Sequence, residues 1–419
     1  MQQVDGGSVS FWQDESRSTQ QRYAALEQRV TADVAIIGAG ITGAACALWL
    51  ARAGSRVVVL EQETVAHGAS GRNGGFLIAG TAETYDRAIA LYGRERARRL
   101  FTFSAANNQT VHELAAESEA QGWSTGYRRT GSLRLADSPA ELAEVQTSLA
   151  LLAEDGWPAE TIGEDHLPPC LRGHYLGGAY YPDDGELQPA RFVLGLARLA
   201  AQAGATFYER TPALRIREAD DAVSIETPAG AVQAQTIIFA TNAWLGELLR
   251  RLPEPQASLV SRAVTPTRGQ MLATASIAER LFDCPIYAHY GYQYWRQLQD
   301  GRLVVGGWRD HALDRDQSAP THAPTDTVQQ QLDRFLFETL KLPGDTPILH
   351  RWAGLMAFTP DSLPVVGWAP GSRRVLLCGG YTGHGNAMAA RCARVAADLA
   401  LGRANPEAEM FKPERLLER

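Results

Sequence analysis

Apolar positions cluster in short unbroken runs separated by longer stretches of helical spacing, the signature of buried parallel strands alternating with helices. Val34–Ile37 and Arg56–Leu60 are two such runs, and an alanine-rich helix is expected between them, ending before Gly54. Helices are also predicted over 85–122, interrupted at Gly93, over Pro139–Ala153 and over Gln188–Ala203. Thr130–Ala136 and Ala205–Tyr208 read as strands, as do Ala222–Glu226 and Ala231–Gln235 around a Pro-Ala-Gly turn, followed by Thr236–Ala240. Residues 257 to 310 are rich in β-branched and aromatic side chains, as in an antiparallel sheet. Near the C-terminus the pattern returns to strand, glycine loop and helix: Arg374–Cys378, Gly379–Gly385 and Asn386–Leu401.

The first strand–helix junction carries chemistry. Gly38, Gly40 and Gly43 form G-x-G-x-x-G directly after the strand. Gly38 makes the tight turn, Gly40 admits a pyrophosphate to the backbone, and Gly43 lets the helix pack against the strand. The helix N-terminus then offers N–H groups and a positive dipole end to phosphate. Glu61 closes the second strand about 20 residues on, where an acid holds a ribose diol and would repel a 2′-phosphate. These features predict a dinucleotide site, with NADP disfavoured. The two glycine loops lie far apart in sequence, which suits an extended flavin dinucleotide better than a single NAD.

Composition narrows the class. The chain has 419 residues, 45% hydrophobic and 21% charged, enough for two domains or one elaborated fold. A net charge of −7 gives no electrostatic reason to expect nucleic acid or an anionic membrane surface. The five cysteines are scattered without C-x-x-C pairs, which fits a reducing compartment and no structural metal. No apolar run reaches membrane-spanning length and the first 21 residues lack an apolar signal core, so a cytoplasmic location is expected.

Further motifs give the chain a resemblance. Ser10-Phe-Trp12, Ala32-Asp-Val34, Gly68-Ala-Ser-Gly-Arg-Asn-Gly-Gly75, Ala240-Thr-Asn-Ala-Trp244, Arg268-Gly-Gln-Met271, Ala357-Phe-Thr-Pro-Asp361 and Gly380-Tyr-Thr-Gly-His-Gly385 occur in this order. Together they resemble the D-amino-acid-oxidase superfamily of FAD-dependent amine oxidoreductases, over nearly the whole chain. The resemblance implies an α/β fold, with a Rossmann-like, glutathione-reductase-like FAD-binding domain and a second α+β substrate domain on an antiparallel sheet. The expected division is an N-terminal extension (1–29), a discontinuous FAD-binding domain (30–84, 181–250 and 345–419) and a substrate-binding domain (85–180 and 251–344).

Carried over by position, the cofactor-binding set is Gly38, Gly40, Ile41, Thr42, Gly43, Glu61, Gln62, Ser70, Gly71, Arg72, Asn73, Gly74, Gly75, Ala213, Thr241, Gly380, Tyr381, Thr382, Gly383, His384 and Gly385. The flavin-linking cysteine of sarcosine oxidases is matched by Gly354, implying FAD that is not covalently bound. Their oxygen-activating lysine is matched by Val304, and their carboxylate-binding lysine by Ala387. Losing that last group fits a substrate recognised as an amine. Tyr290, Tyr292, Tyr294 and Arg296 share one face of a strand by alternation and are expected to line the substrate side. An aromatic core under the sheet is the alternative for the tyrosines, and His289 reads as structural. His384 and Arg72 are the catalytic candidates.

The activity implied is oxidation of a C–N bond by hydride transfer to flavin N5, giving an imine that hydrolyses. The partners implied are a small amine substrate, or an N-methyl or D-amino acid, and oxygen or another electron acceptor. A flavin-bearing subunit or binding protein with structural FAD remains the alternative.

Overall fold

The fold follows from two eight-stranded sheets that face each other across one large cavity. In this computed structural model the described residues are 8–250, 260, 262, 264–313 and 321–417. Residues 251–259 and 314–320, which the sequence assigns to the substrate domain, lie outside them, as do 1–7 of the N-terminal extension.

The first sheet runs Val365–Trp368, Val375–Gly379, Ala231–Phe239, Arg29–Ile37, Val57–Leu60, Thr206–Tyr208. Neighbours from Val375–Gly379 to Thr206–Tyr208 are parallel, and Val365–Trp368 is antiparallel at the edge. Both faces are covered, as a parallel sheet requires. Ile36, Val59 and Ile238 point into a core shared with the helices Ile41–Arg52, Pro189–Gln202 and Ala389–Ala400. Ile37, Val58, Leu60 and Phe239 point the other way, onto Leu245 and Leu249.

The hairpin and buried strand expected separately at 231–235 and 236–240 are one strand, Ala231–Phe239. Its first half alternates buried and exposed beside Val223–Glu226, and its last three residues are buried on both faces between parallel neighbours. That change of environment along one strand explains why the pattern reads as two. A further strand, Arg215–Glu218, completes the flap and carries too little apolar signal to be read from sequence.

The second sheet runs Ile348–Phe358, Thr265–Ser276, Arg302–Gly307, Gln293–Gln297, Ile286–Ala288, Ser132–Ala136, Gly177–Tyr181, Glu160–Gly163. It is antiparallel except where Ile286–Ala288 meets Ser132–Ala136. Residues 348–358, expected with the cofactor-binding segments, therefore belong to this sheet, because their whole length pairs with Thr265–Ser276. Leu272, Trp295, Leu303 and Val305 bury one face against the helix Asp326–Arg334 and the turn after it. The other face looks across the cavity at the first sheet.

The N-terminal segment is not an appendage. Its helix Phe11–Ser16 opens on a capping box made by Ser10 and Gln13. Ser10 Oγ donates to the Gly71 carbonyl, Gln13 to that of His67 (2.8 Å), and Trp12 Nε1 to that of Asn73 (2.7 Å). The helix thus clamps the 67–73 loop.

Candidate active site: an extended cavity between the two sheets

The cavity has a volume of about 1290 Å³ and runs from the first glycine loop to the second sheet. That exceeds the range of about 300–1,000 Å³ typical of a small ligand, so it suits an extended cofactor with space beside it. Along it lie Gly38, Gly40, Ile41, Thr42, Glu61, Gln62, Ser70, Arg72, Asn73, Gly74, Ala213, Thr241, Tyr381, Thr382, Gly383, His384 and Gly385, all expected from sequence. Gly43, Gly71, Gly75 and Gly380 do not line it. A Cβ at Gly43 would sit 1.8 Å from the Gly38 carbonyl oxygen, so this glycine serves helix–strand packing. Gly71, Gly75 and Gly380 have the same kind of role, each pressed against another part of the chain.

At one end, Gly38 turns with φ +100 and Gly40 caps the helix Ile41–Arg52 without a capping side chain of its own. The serine of the next loop is close by: Ser70 Oγ accepts the Ile41 N–H at 3.0 Å. The Glu61 carboxylate accepts backbone N–H groups from Ala39 (2.8 Å) and Glu63 (2.9 Å), which fix it at the mouth of the glycine turn. Burial raises its pKa to about 7. Opposite, the Thr241 hydroxyl is buried on the cavity wall with no partner among the described residues. A glycine turn, a helix N-terminus, a fixed carboxylate and an unsatisfied hydroxyl are the set of groups a dinucleotide engages. The residues present therefore fit FAD, and Gly38, Gly40, Glu61 and Thr241 are those that would hold its nucleotide half.

Further along, Asn73 ties the Gly68–Gly75 loop to the residue that follows the second glycine loop. Its Oδ1 accepts from the Gly75 N–H (2.7 Å) and from Asn386 Nδ2 (2.9 Å), and Asn386 also donates to Phe76 O (3.2 Å). Asn386 was not singled out by sequence, since its partners are more than 300 residues away. Tyr381 lines the cavity, but its hydroxyl is bonded to Thr42 Oγ1 at 2.7 Å.

The two catalytic candidates are both held by carbonyl groups. His384 Nε2 donates to Ile78 O at 3.2 Å, and burial lowers its pKa to about 4, so the ring is neutral at pH 7. Arg72 donates to His67 O (2.8 Å), Ala353 O (3.1 Å) and Ser8 O. Burial lowers it to about 10, which leaves it cationic at neutral pH. Gly354 stands against it: a Cβ there would lie 3.0 Å from Arg72 Cβ.

The substrate-side expectations need correction. Tyr290 and Tyr292 are not on a strand; pairing begins at Gln293, and 289–291 form a tight turn with Tyr290 at φ 52 and ψ 28. All three tyrosines nevertheless line the cavity. Arg296 does not. It is buried beneath the loop, donating to Leu187 O (2.8 Å) and Gly75 O (3.3 Å), paired with Glu186 at 3.4 Å and lying 4.8 Å over the Trp12 ring. Alternation was right about its face, but at the Arg296 register that face is covered by Trp12, Gly75, Glu186 and Leu187. Val304 has the same fate, opposite Arg296 and Ala273 in the core with Met271 and Trp352 and away from the cavity. His289 is structural as read: Nδ1 meets Asp137 at 2.6 Å and Nε2 meets Asp310 at 3.5 Å. Two residues were missed. Tyr287 stacks on Tyr294 (5.7 Å, 23°) as its cross-strand partner, and Arg309 enters from the next turn. Only the hairpin register could have paired the two tyrosines.

Comparison with known proteins agrees with this geometry. Residues 33–399 match the DAO family, described as FAD dependent oxidoreductase. The chain is 30% identical over 394 residues to the probable oxidoreductase OrdL of Rhizobium meliloti, covering 91% of this chain and 85% of that one. It is 28% identical to the γ-glutamylputrescine oxidoreductase of Escherichia coli, over 92% of this chain and 86% of the relative. The crystal structure of glycine oxidase from Geobacillus kaustophilus superposes with a TM-score of 0.77 at 22% identity, covering 91% of this chain and 98% of that one. With a glycine turn, a buried acid beside it and a second glycine loop converging on one cavity, and with the family match over residues 33–399, this chain belongs to the DAO family of FAD-dependent oxidoreductases.

Proposed function

We propose that this enzyme oxidises the C–N bond of a small amine or amino acid, giving an imine that water hydrolyses to a carbonyl compound and a free amine. The observation that carries the reading is that Tyr287, Tyr292 and Tyr294 line the same cavity as the Gly383–Gly385 loop. Bound flavin would supply the hydride acceptor there. The chain's own residues do the rest. The aromatic wall excludes water around the amine-bearing carbon, which favours the neutral amine able to donate hydride. His384, neutral and anchored to Ile78 O, orients the second glycine loop rather than transferring a proton. The site residues named above are read as the cofactor-binding set, with Gly354 leaving no side chain for covalent attachment.

Two measurements test this. Acid precipitation of the purified yellow protein should release FAD into the supernatant; colour retained in the pellet refutes non-covalent binding. Anaerobic mixing with a panel of amines, N-methyl amino acids and D-amino acids should bleach the flavin with at least one class. A flavin that none of them bleaches refutes amine oxidation.

A further inference from the structure

The extended segment from Phe76 to Gly80 holds the end of the second glycine loop at three points. Asn386 Nδ2 donates to Phe76 O at 3.2 Å, and His384 Nε2 to Ile78 O at 3.2 Å. Ser104 Oγ accepts the Gly80 N–H at 2.9 Å and donates to Ala387 O at 3.0 Å. Between these points the Ala79 N–H donates to the Asp184 carboxylate at 2.8 Å. Ile78 C=O and Ala79 N–H belong to one peptide unit, and in a trans peptide they point in opposite directions. Asp184, the peptide and the His384 ring therefore form a continuous chain of hydrogen bonds. A carboxylate that pulls on the N–H makes the carbonyl at the other end a better acceptor for the histidine proton.

The chain fixes the histidine's chemistry. A carbonyl only accepts, so Nε2 carries the ring proton, and in a neutral ring Nδ1 is left as a bare acceptor. Nδ1 makes no hydrogen bond with a described residue, and His384 lines the cavity together with Tyr287 and Tyr294. Asp184 stands behind this wall and does not line the cavity. It is buried and forms no ion pair with a described residue; its other side-chain bond is from Ser132 Oγ at 2.6 Å. Burial raises its pKa to about 7, the consequence of keeping a carboxylate away from water with no cation beside it.

We propose that Asp184 is a positioning residue: through the Ile78–Ala79 peptide it holds His384 in the Nε2–H tautomer, so that Nδ1 accepts an N–H of the bound amine. The bond to the amine rests on the amine-oxidation reading above; the tautomer does not.

The test uses the FAD-loaded enzyme in two arms. In the first, the histidines carry the heavy nitrogen isotope and their ring nitrogens are followed by NMR, the His384 signal being the one missing from His384→Asn. In the wild type His384 should carry its proton on Nε2, in slow exchange with water. In Asp184→Ala that resonance should be lost to exchange or replaced by a proton on Nδ1, with FAD content unchanged. Asp184→Asn, which keeps an acceptor oxygen without the charge, should retain it in weakened form. Ser132→Ala, which frees one carboxylate oxygen, should speed the exchange and serves if the Asp184 variants do not fold. A proton on Nδ1 in the wild type, or a resonance that none of these changes disturbs, overturns the proposal. In the second arm, amines are mixed anaerobically with the enzyme and the rate of flavin bleaching is followed. The amine concentration giving half the maximal rate should rise roughly 2- to 12-fold in Asp184→Ala, the range of one neutral hydrogen bond. An unchanged concentration overturns the bond to the amine. If no amine bleaches the wild type, the amine-oxidation reading fails, while the first arm still decides whether Asp184 sets the tautomer.

Discussion

At the scale of single residues, the buried charges separate binding from support. Glu61 is fixed by two backbone N–H groups and needs no rearrangement to accept ribose hydroxyls. Losing a charge-assisted bond costs about 1.5–3 kcal/mol, so Glu61→Ala should purify depleted in FAD, with affinity weakened roughly 10- to 150-fold. Unchanged flavin occupancy would remove Glu61 from the site. Arg296 makes the opposite prediction. It bonds Gly75 O and Leu187 O and pairs with Glu186, all buried, and removing one partner of such a cluster costs about 3–5 kcal/mol. Arg296→Met should therefore lower the denaturant midpoint while leaving KM for the amine unaltered in the protein that remains folded. A raised KM at unchanged stability would restore the substrate role expected from its sequence position. Both residues were legible as important, but only Glu61 lines the cavity as its sequence position predicts. A short-range glycine motif specifies its neighbour, whereas the role of Arg296 depends on Gly75, Glu186 and Leu187, brought to it from elsewhere in the chain.

At the scale of elements, the decisive feature is the turn that interrupts the expected aromatic strand. His289, Tyr290 and Trp308 all adopt positive φ, a conformation costly for large side chains. Their partners hold them there: Asp137 and Asp310 on His289, Glu141 accepting the Tyr290 N–H at 2.6 Å, and Tyr292 O accepting from Trp308. The turn carries Tyr290 and Tyr292 to the cavity from outside the sheet, while Tyr294 reaches it from the strand. On the proposed reading Tyr292→Ala should raise KM for the amine with FAD content intact, because the residue lines the cavity and is bonded to none of the proposed cofactor-binding groups. Loss of folding and flavin together would instead mark the tyrosines as a structural core. Sequence alternation could not show the break. Gly291 alone is weak punctuation, and the carboxylates that hold the turn come from residues 137, 141 and 310.

At the scale of the whole molecule, folding buries three histidines from separate parts of the chain. Burial lowers His67, His322 and His384 to about 4. A histidine depressed in the folded state takes its proton first in the unfolded chain, so its effect on stability is unchanged above pH 6.5. Stability is then lost as pH falls from 6.5 towards 4. For His384 the loss is about 3 kcal/mol at most. Glu61 and Asp184, both raised to about 7, act with the opposite sign, so a comparison of wild type with His384→Asn isolates the histidine. The stability advantage of the wild type over this variant should shrink across pH 6.5 to 4; a difference independent of pH would place the ring in water. The sequence by itself determined the parallel strands, the glycine turn with its acid and the second glycine loop, because each is a local pattern whose meaning is set within about 25 residues. Tertiary structure decided which face of each second-sheet strand meets the cavity and which is sealed, as Arg296 and Val304 show. It also decided the meeting of Tyr287 with Tyr294 and the placing of Arg309 between the Tyr292 and Phe358 rings. Those are contacts between distant segments, and the free energy that selects them belongs to the packed interface and not to any one stretch of chain.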